Sequence, residues 1–475
     1  MALAGSLAAL VLLLGPPSTA RAQLPGDLCL TASPPPLSAP AHQLRFGITP
    51  LAAGSAGLSQ GQPKPENPDA AESALARLRP GGRQLVLHLN RMLMSDGLPG
   101  IRRYAALVDN YAKAGFDSEL QVRYHPPAGQ EGDMAAWSAY VRSAAHILGK
   151  RPSVKALTIT NEANFPVSPN TSDGSYPGVL QAIVTGIDAA RNELDKMGRA
   201  DIELGFSFAW RWVPTSDAAF WQQLGSIATP QFRRALDYVG LQIYPGLVFP
   251  PASPASSAGT DTVEALTLLR DCYMPQAGLG RKVALWVTEN GYATNLGHTE
   301  SDQDVALHAT LDAVHRYSGT LGVSDYRWFN LRDNVSNGAD LFDAVGLLRD
   351  DYSEKPSFAT YRAEIEQIGT DRPKRMRCAG RIATLTGTGG KDIVRGSIGP
   401  VVISTGRGRD RVAGGEGNDR ICTGPGRDAV SGGAGKDTLL GGHGTDRIRG
   451  GSGRDSCPGS RRDLTRSCSA AVIVR

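Results

Sequence analysis

From residue 43 to residue 332 the chain alternates two textures. Short apolar runs with alternating or β-branched character lie at 43–50, 84–91, 118–125, 154–162, 202–210, 237–245, 283–290 and 324–332. Each precedes a stretch with apolar residues at helical spacing, such as GVLQAIVTGIDAARNELDKMG at 178–198, which stops at a glycine. Eight strand–helix units predict an α/β fold, a (β/α)8 TIM barrel over 43–370. A doubly wound open sheet is the structural alternative. It calls for a glycine-rich phosphate loop after an early strand, and none is present.

Past Pro373 the period changes. Asp410, Asp419, Asp428, Asp437, Asp446 and Asp455 stand nine residues apart, and Asp392 lies two periods earlier. An apolar residue holds the same phase at Val412, Ile421, Val430, Leu439 and Ile448. Turns such as GGEGNDRIC, GGAGKDTLL and GGHGTDRIR fit GGxGxDxUx and resemble the RTX-type repeats of calcium-binding parallel β-rolls. Glycine permits the tight turn, and backbone carbonyls with an Asp carboxylate give a hard cation its oxygens. The reading divides this part into a linker (371–384), a small parallel β-roll with Ca2+ on those six aspartates (385–460), and a tail (461–475). The residue before each Asp is Arg409, Asn418, Arg427, Lys436, Thr445 or Arg454. Cations beside the ligand oppose metal binding and predict lowered affinity, lost in some turns. The rival is a flexible Gly/Arg-rich tail, which has no reason to keep an apolar residue in phase.

In a (β/α)8 barrel chemistry gathers at the C-terminal ends of the strands. The predicted strand ends carry Arg91, His125, Asn161 and Glu162, Trp210, Tyr244, Glu289 and Asn290, and Trp328. Glu162 closes the fourth run and Glu289 the seventh, so two carboxylates face each other across the mouth. Glycoside cleavage needs such a pair, one to protonate the leaving oxygen and one to attack the other face; about 5–5.5 Å between them gives retention, about 6.5–9.5 Å inversion.

The segments TITNEAN and WVTENGY resemble the acid/base and nucleophile segments of clan A glycoside hydrolases, the retaining barrel enzymes. The resemblance implies Glu162 as acid/base and Glu289 as nucleophile, with no catalytic cofactor. It further implies that Asn161 hydrogen-bonds the sugar 2-hydroxyl, Tyr244 supports Glu289 and Trp328 floors the sugar subsite. TENG at 288–291 also echoes the family-one β-glycosidases, from whose Asn-Glu-Pro the chain departs at Ala163. Each residue has a plainer role open to it. A strand-end Glu can cap a helix or pair with a cation, Asn290-Gly291 can be a turn, and Trp328 and Trp210 can be core aromatics. Arg91 and His125 can be ion-pair or hydrogen-bond partners. Long connections at 163–176 and 247–261 can wall a cleft for a chain-like glycan or be variable surface.

Composition adds compartment and partners. The 475 residues are 41% hydrophobic and 20% charged with net charge +4, too little for a nucleic-acid face spread over the chain. The charge is local: residues 385–462 hold thirteen Lys/Arg and eight Asp/Glu, a net of +5. An apolar stretch ending at Leu14, then Ala20-Arg21-Ala22, predicts a signal peptide over 1–22, followed by an N-terminal extension (23–42). The stretch is short of the ~20 residues a span needs. Export permits the six cysteines to pair, in a pattern their spacing leaves open. The expectation is a secreted, monomeric retaining glycosidase acting on oligo- or polysaccharide. The rival from another class is a non-catalytic glycan-binding or cell-surface protein on a barrel scaffold.

Overall fold

The computed structural model describes residues 33–51, 64–167, 169–210, 213–250, 253–371, 376–387, 390–458 and 463–468. The signal-peptide expectation and Cys29 lie outside them; of the tail read at 461–475, residues 463–468 are described, and Leu464–Arg466 add a strand to the roll. Eight parallel strands close into a barrel in chain order: β1 (Arg45–Ile48), β2 (Val86–Leu93), β3 (Asp117–Arg123), β4 (Val154–Ile159), β5 (Glu203–Ala209), β6 (Tyr238–Ile243), β7 (Ala284–Asn290) and β8 (Val323–Trp328). Every predicted run overlaps one of them. The helix read at 178–198 forms as Val179–Lys196, bracketed by Gly178 and Gly198, both at positive φ. Its buried face, including Ile183, Ile187, Ala190 and Leu194, joins the core between barrel and helices.

The barrel interior departs from the usual layers of branched apolar side chains. A file of alternating charges runs through it. His88 Nδ1 lies 3.1 Å from Glu119 Oε1, and Arg327 Nε donates to Glu119 Oε2 at 3.0 Å. Asp325 Oδ1 then takes Arg327 Nη2 at 2.7 Å and Arg45 Nε at 2.6 Å, and Arg45 Nη2 reaches Glu203 Oε2 at 2.6 Å. Tyr238 and Trp286 stack beside it, centroids 3.5 Å apart, with both arginines over the indole. Buried charges persist only when paired and hydrogen-bonded in this way.

The repeats form a parallel β-roll. A five-stranded sheet (Ile393–Arg395, Arg411–Glu416, Ala429–Ala434, Arg447–Ser452, Leu464–Arg466) faces a four-stranded one (Leu385–Thr386, Val402–Ser404, Arg420–Cys422, Thr438–Leu440). Partners are eighteen residues apart, as in Val412↔Val430 and Ile421↔Leu439, so one coil of the roll spans two repeats. All five in-phase apolar residues are buried in one cluster with Val401, Ile403 and Cys457. Disulfides Cys378–Cys422 and Cys457–Cys468 pin both ends. Ser397 Oγ donates to the Asp195 carbonyl at 3.1 Å, docking the roll on the end of the 179–196 helix.

Candidate active site

Glu162 does not close β4, which ends at Ile159; it stands three residues on, in a turn. Thr160 and Glu162 both take positive φ, 70° and 44°. A β-branched residue there is an outlier, and such strain costs on the order of 1–3 kcal/mol per residue, sustained by surrounding contacts. The contacts come from both sides. Asp173 accepts the backbone N–H of Asn161 and of Tyr124 on one oxygen, each at 2.8 Å, and Arg123 Nε on the other at 2.9 Å. Ser207 Oγ accepts Glu162 N–H at 3.0 Å. Asp173 thus ties the 163–176 connection to the mouth of the barrel.

Asn161 itself is a keystone. Its Oδ1 accepts Gln121 Nε2 at 2.7 Å and Gln242 Nε2 at 2.8 Å, and Ser207 Oγ at 3.3 Å, while Nδ2 donates to the Thr171 carbonyl at 2.7 Å. The side chain binds four strands together and keeps one N–H for anything else, so its expected role toward a sugar hydroxyl is secondary to this one.

Glu289 lies near the end of β7, buried. Tyr244 donates to its Oε2 at 2.8 Å, the support expected of that residue. His88 Nε2 lies 3.6 Å from its Oε1 and has no hydrogen-bond partner among the described residues. Burial works against an imidazolium at His88, but Glu119 and then Glu289 outweigh it and hold the pKa up at about 9. Burial likewise opposes ionisation of Glu119, yet Arg327 and His88 bring it down to about 2. Glu162 goes the other way: burial, then the charge of Glu289, push it up to about 8 despite Arg123. Glu162 thus keeps its proton beside a second carboxyl group, as a general acid must.

The remaining predicted residues divide. Asn290 stitches the strands: Nδ2 donates to the Ile243 carbonyl at 2.8 Å and Oδ1 accepts Tyr326 Oη at 2.6 Å. Gly291 serves packing, since a Cβ there would fall 2.7 Å from the Phe329 carbonyl oxygen and 3.1 Å from the Tyr244 ring. Trp328 is 1% exposed, its Nε1 donating to the Val345 carbonyl at 3.1 Å, so it presents no open face for a sugar. Trp210 is buried, its ring tilted against Tyr273 at 6.5 Å. Both tryptophans take the core role. Arg91 sits in a bulge of β2, half-buried, with Nη1 lacking a hydrogen-bond partner among the described residues; burial, then the charge of Arg123, lower its pKa. His125 Nδ1 lies 3.1 Å from Ser95 Oγ and its ring packs edge-on against Tyr176. His88, Glu119, Gln121, Arg123, Asp173 and Gln242 were not expected from the sequence. Their signal was there: His88, Glu119, Gln121 and Gln242 interrupt apolar strand runs.

The roll's aspartates fit calcium. Asp428 Oδ1 accepts Asp410 N–H at 2.8 Å, and Asp437 and Asp446 repeat this on Asp419 and Asp428 at 2.9 Å. The Oδ2 atoms of Asp410, Asp419, Asp428, Asp437 and Asp446 are buried with no hydrogen bond among the described residues. Around the Asp437 atom lie Gly432 and the Gly450 carbonyl, so closely that a Cβ on Gly432 would collide with both. Burial pushes Asp419 and Asp446 up to about 6. No three His, Cys, Asp or Glu side chains converge among the described residues, so the donor set is one carboxylate per turn plus backbone carbonyls, the hard-oxygen set of Ca2+. Asp455 is buried at the next turn and bonds Asp437 N–H through Oδ1 at 3.0 Å. Arg409, Asn418, Arg427, Lys436, Thr445 and Arg454 are all exposed while the carboxylates are buried, so the cations lean to solvent and oppose the metal less than their place in the sequence implies.

Residues 386–421 and 423–457 match the model of the RTX calcium-binding nonapeptide repeat (4 copies). No curated protein matches the chain by sequence. Similar solved structures include a GH5_18 protein from Streptomyces cattleya in complex with GlcNAc, 16% identical over 75% of this chain and 85% of that one (TM-score 0.48). A family 39 glycoside hydrolase from Bacteroides cellulosilyticus WH2 is 15% identical over 69% and 64% (TM-score 0.49). A family 1 β-glucosidase from Thermotoga maritima is 13% identical over 72% and 100% (TM-score 0.44). The chain is thus a closed parallel (β/α)8 barrel with a carboxylate pair beyond β4 and on β7, followed by RTX-type calcium-binding repeats.

Proposed function

We propose that the protein is a retaining glycosidase, with Glu162 as acid/base and Glu289 as nucleophile. The observation that carries this is the pair itself: Glu162 pushed up to about 8 by burial and by Glu289, opposite a Glu289 held by Tyr244. At neutral pH the Glu162 carboxyl keeps its proton and gives it to the glycosidic oxygen as that bond breaks, while Glu289 attacks the anomeric carbon. Ester formation consumes the Glu289 charge, so the repulsion on Glu162 lapses, its pKa falls, and it takes the proton of the incoming water in the second step. His88, a positioning residue, steadies the attacking carboxylate from the far side of Tyr244. Calcium belongs to the roll and supplies no step. The apolar start and the disulfides support export, and no helix among the described residues is long and apolar enough to cross a membrane.

Turnover of aryl glycosides and polysaccharides tests the assignment. Glu289→Gln abolishes it on every substrate, and Glu162→Ala loses about 100- to 10,000-fold on poor leaving groups while sparing glycosylation by leaving groups that need no proton. Because the protonated acid is required, kcat/KM of the wild type falls as pH rises through about 8. Equal loss on activated and unactivated substrates removes Glu162 from the acid role. In a glycan complex the two carboxyl groups stand about 5–5.5 Å apart; about 10 Å or more rules out retention.

A further inference from the structure

The surplus positive charge of the C-terminal segment is gathered on one face. In the five-stranded sheet the outward side chains form two rows along the roll axis, Ile393–Arg411–Ala429–Arg447–Leu464 and Arg395–Ala413–Ser431–Arg449–Arg466. The five arginines are exposed and none has an ion-pair partner among the described residues. Ala413, Ala429 and Ser431 leave a floor between them, and the trough so formed has a volume of about 880 Å3. A second hollow of about 310 Å3 adjoins it, lined by Lys391, Arg409 and Arg427 from successive turns. The acids of these turns, Asp410 and Asp428, are buried, and Asp463 at the edge has its Oδ1 on Asp446 N–H at 3.1 Å. The opposite, four-stranded face shows one cation, Arg420, on its strands and is partly covered by the hairpin of Arg377–Cys378 and Arg381–Ile382.

We propose that this arginine-lined trough is a binding site for a linear acidic polysaccharide, laid along the roll axis. Parallel strands repeat every ~4.8 Å, so Arg411 and Arg447, with Ala429 between, stand about 10 Å apart and the trough runs roughly 19 Å. Cations recurring along both rows beside a floor of small Ala and Ser side chains complement a chain that carries carboxylates or sulfates along its length. Single-stranded nucleic acid uses aromatic side chains as stacking platforms, and neither row has one. A membrane would need a continuous apolar stripe, whereas the exposed Ile393 and Leu464 sit at opposite ends of one row. The choice of a glycan among polyanions rests on the glycosidase reading; the charged trough does not. The roll then holds the barrel on an acidic matrix whose bonds the active site need not be the one to cut.

The test is binding of the full chain, calcium-loaded, to soluble chondroitin sulfate, with neutral dextran, a short DNA duplex and phosphatidylglycerol vesicles as comparators. The wild type binds chondroitin sulfate, ignores dextran, and weakens steeply with salt as counterion release requires. R411S/R447S/R449S loses about tenfold or more, as does S431E, which fills the floor with a negative charge and leaves every arginine in place. R420S, on the other face, binds as wild type. Glu289→Gln also binds as wild type, so loss of turnover and loss of binding are read separately. Undiminished binding in both trough variants overturns the site; DNA or vesicles bound as tightly as chondroitin sulfate overturn the polysaccharide assignment.

Discussion

Inside the barrel, Glu119, Asp325 and Glu203 each meet a guanidinium or imidazole of the same chain at 2.6–3.1 Å. Inside the roll, Asp419 and Asp437 each have a backbone N–H on one oxygen and, among the described residues, no hydrogen bond on the other. Both regions bury carboxylates, and the desolvation cost is of the same kind. The barrel is wide enough to admit arginine side chains from β1 and β8, so it carries its own counter-ions. The roll is too thin: the space between its sheets is filled by one Val, Ile or Leu from each facing strand, and glycines crowd the Asp oxygens. A thin fold that must neutralise buried carboxylates has to borrow its cation from outside. One region is self-sufficient, the other conditional.

The largest effect should come from taking that cation away. Chelation is expected to bring the roll's own calorimetric transition far down in temperature while the barrel transition stays in place. Each site held at 100 times its Kd supplies about 2.7 kcal/mol, and the roll repeats the site turn after turn. A single transition that ignores chelator would erase the distinction.

Next in size is the loss of one member of each network. Glu119→Ala leaves Arg327 and His88 buried without their anion and should cost the barrel about 3–5 kcal/mol, with calcium or without. Asp437→Ala should destabilise the roll only when calcium is present, and in chelator its roll should be no worse than the wild type's. Denaturant melts in both conditions separate the two behaviours; a calcium-independent loss for Asp437→Ala would mean that the carboxylate acts through its backbone hydrogen bond alone.

The smallest effect, and the sharpest in sign, is on pH. Asp419 and Asp446 have folded pKa values near 6 against an ordinary 3.8. Their contribution to a calcium-free roll is therefore present below about pH 3.8 and lost as pH rises through 6. With calcium the direction reverses, because the metal takes only the ionised carboxylate. Roll stability followed from pH 4 to 7 in chelator and in calcium should give slopes of opposite sign; slopes of one sign would place the coordinating oxygens elsewhere.

Much of this was legible along the chain. Periods of two and of nine gave all eight barrel strands and the stacking of the roll, because each depends on which residues must hide from water. The proposed carboxylate pair was suggested by the sequence because both members stand at the ends of apolar runs. The surroundings were not. Asn161 reads as a polar strand end, but three donors from β3, β5 and β6 converge on its Oδ1, and no pattern along one strand encodes a meeting of four. Trp328, expected under a sugar, is sealed by its neighbours, since burial belongs to what packs around a residue.

What the sequence determined by itself is therefore everything set by local period: strand, helix, repeat and the in-phase file of the roll core. The tertiary structure alone decided which charges meet. His88 lies 201 positions from Glu289 yet 3.6 Å from it in space, and Arg395 and Arg466 share a row with cations from other coils only because the sheet stacks them. Hydrophobicity is a property of each position's own side chain and leaves a periodic trace. Electrostatic partnership depends on distance between atoms, which chain closure sets and the order of residues does not record.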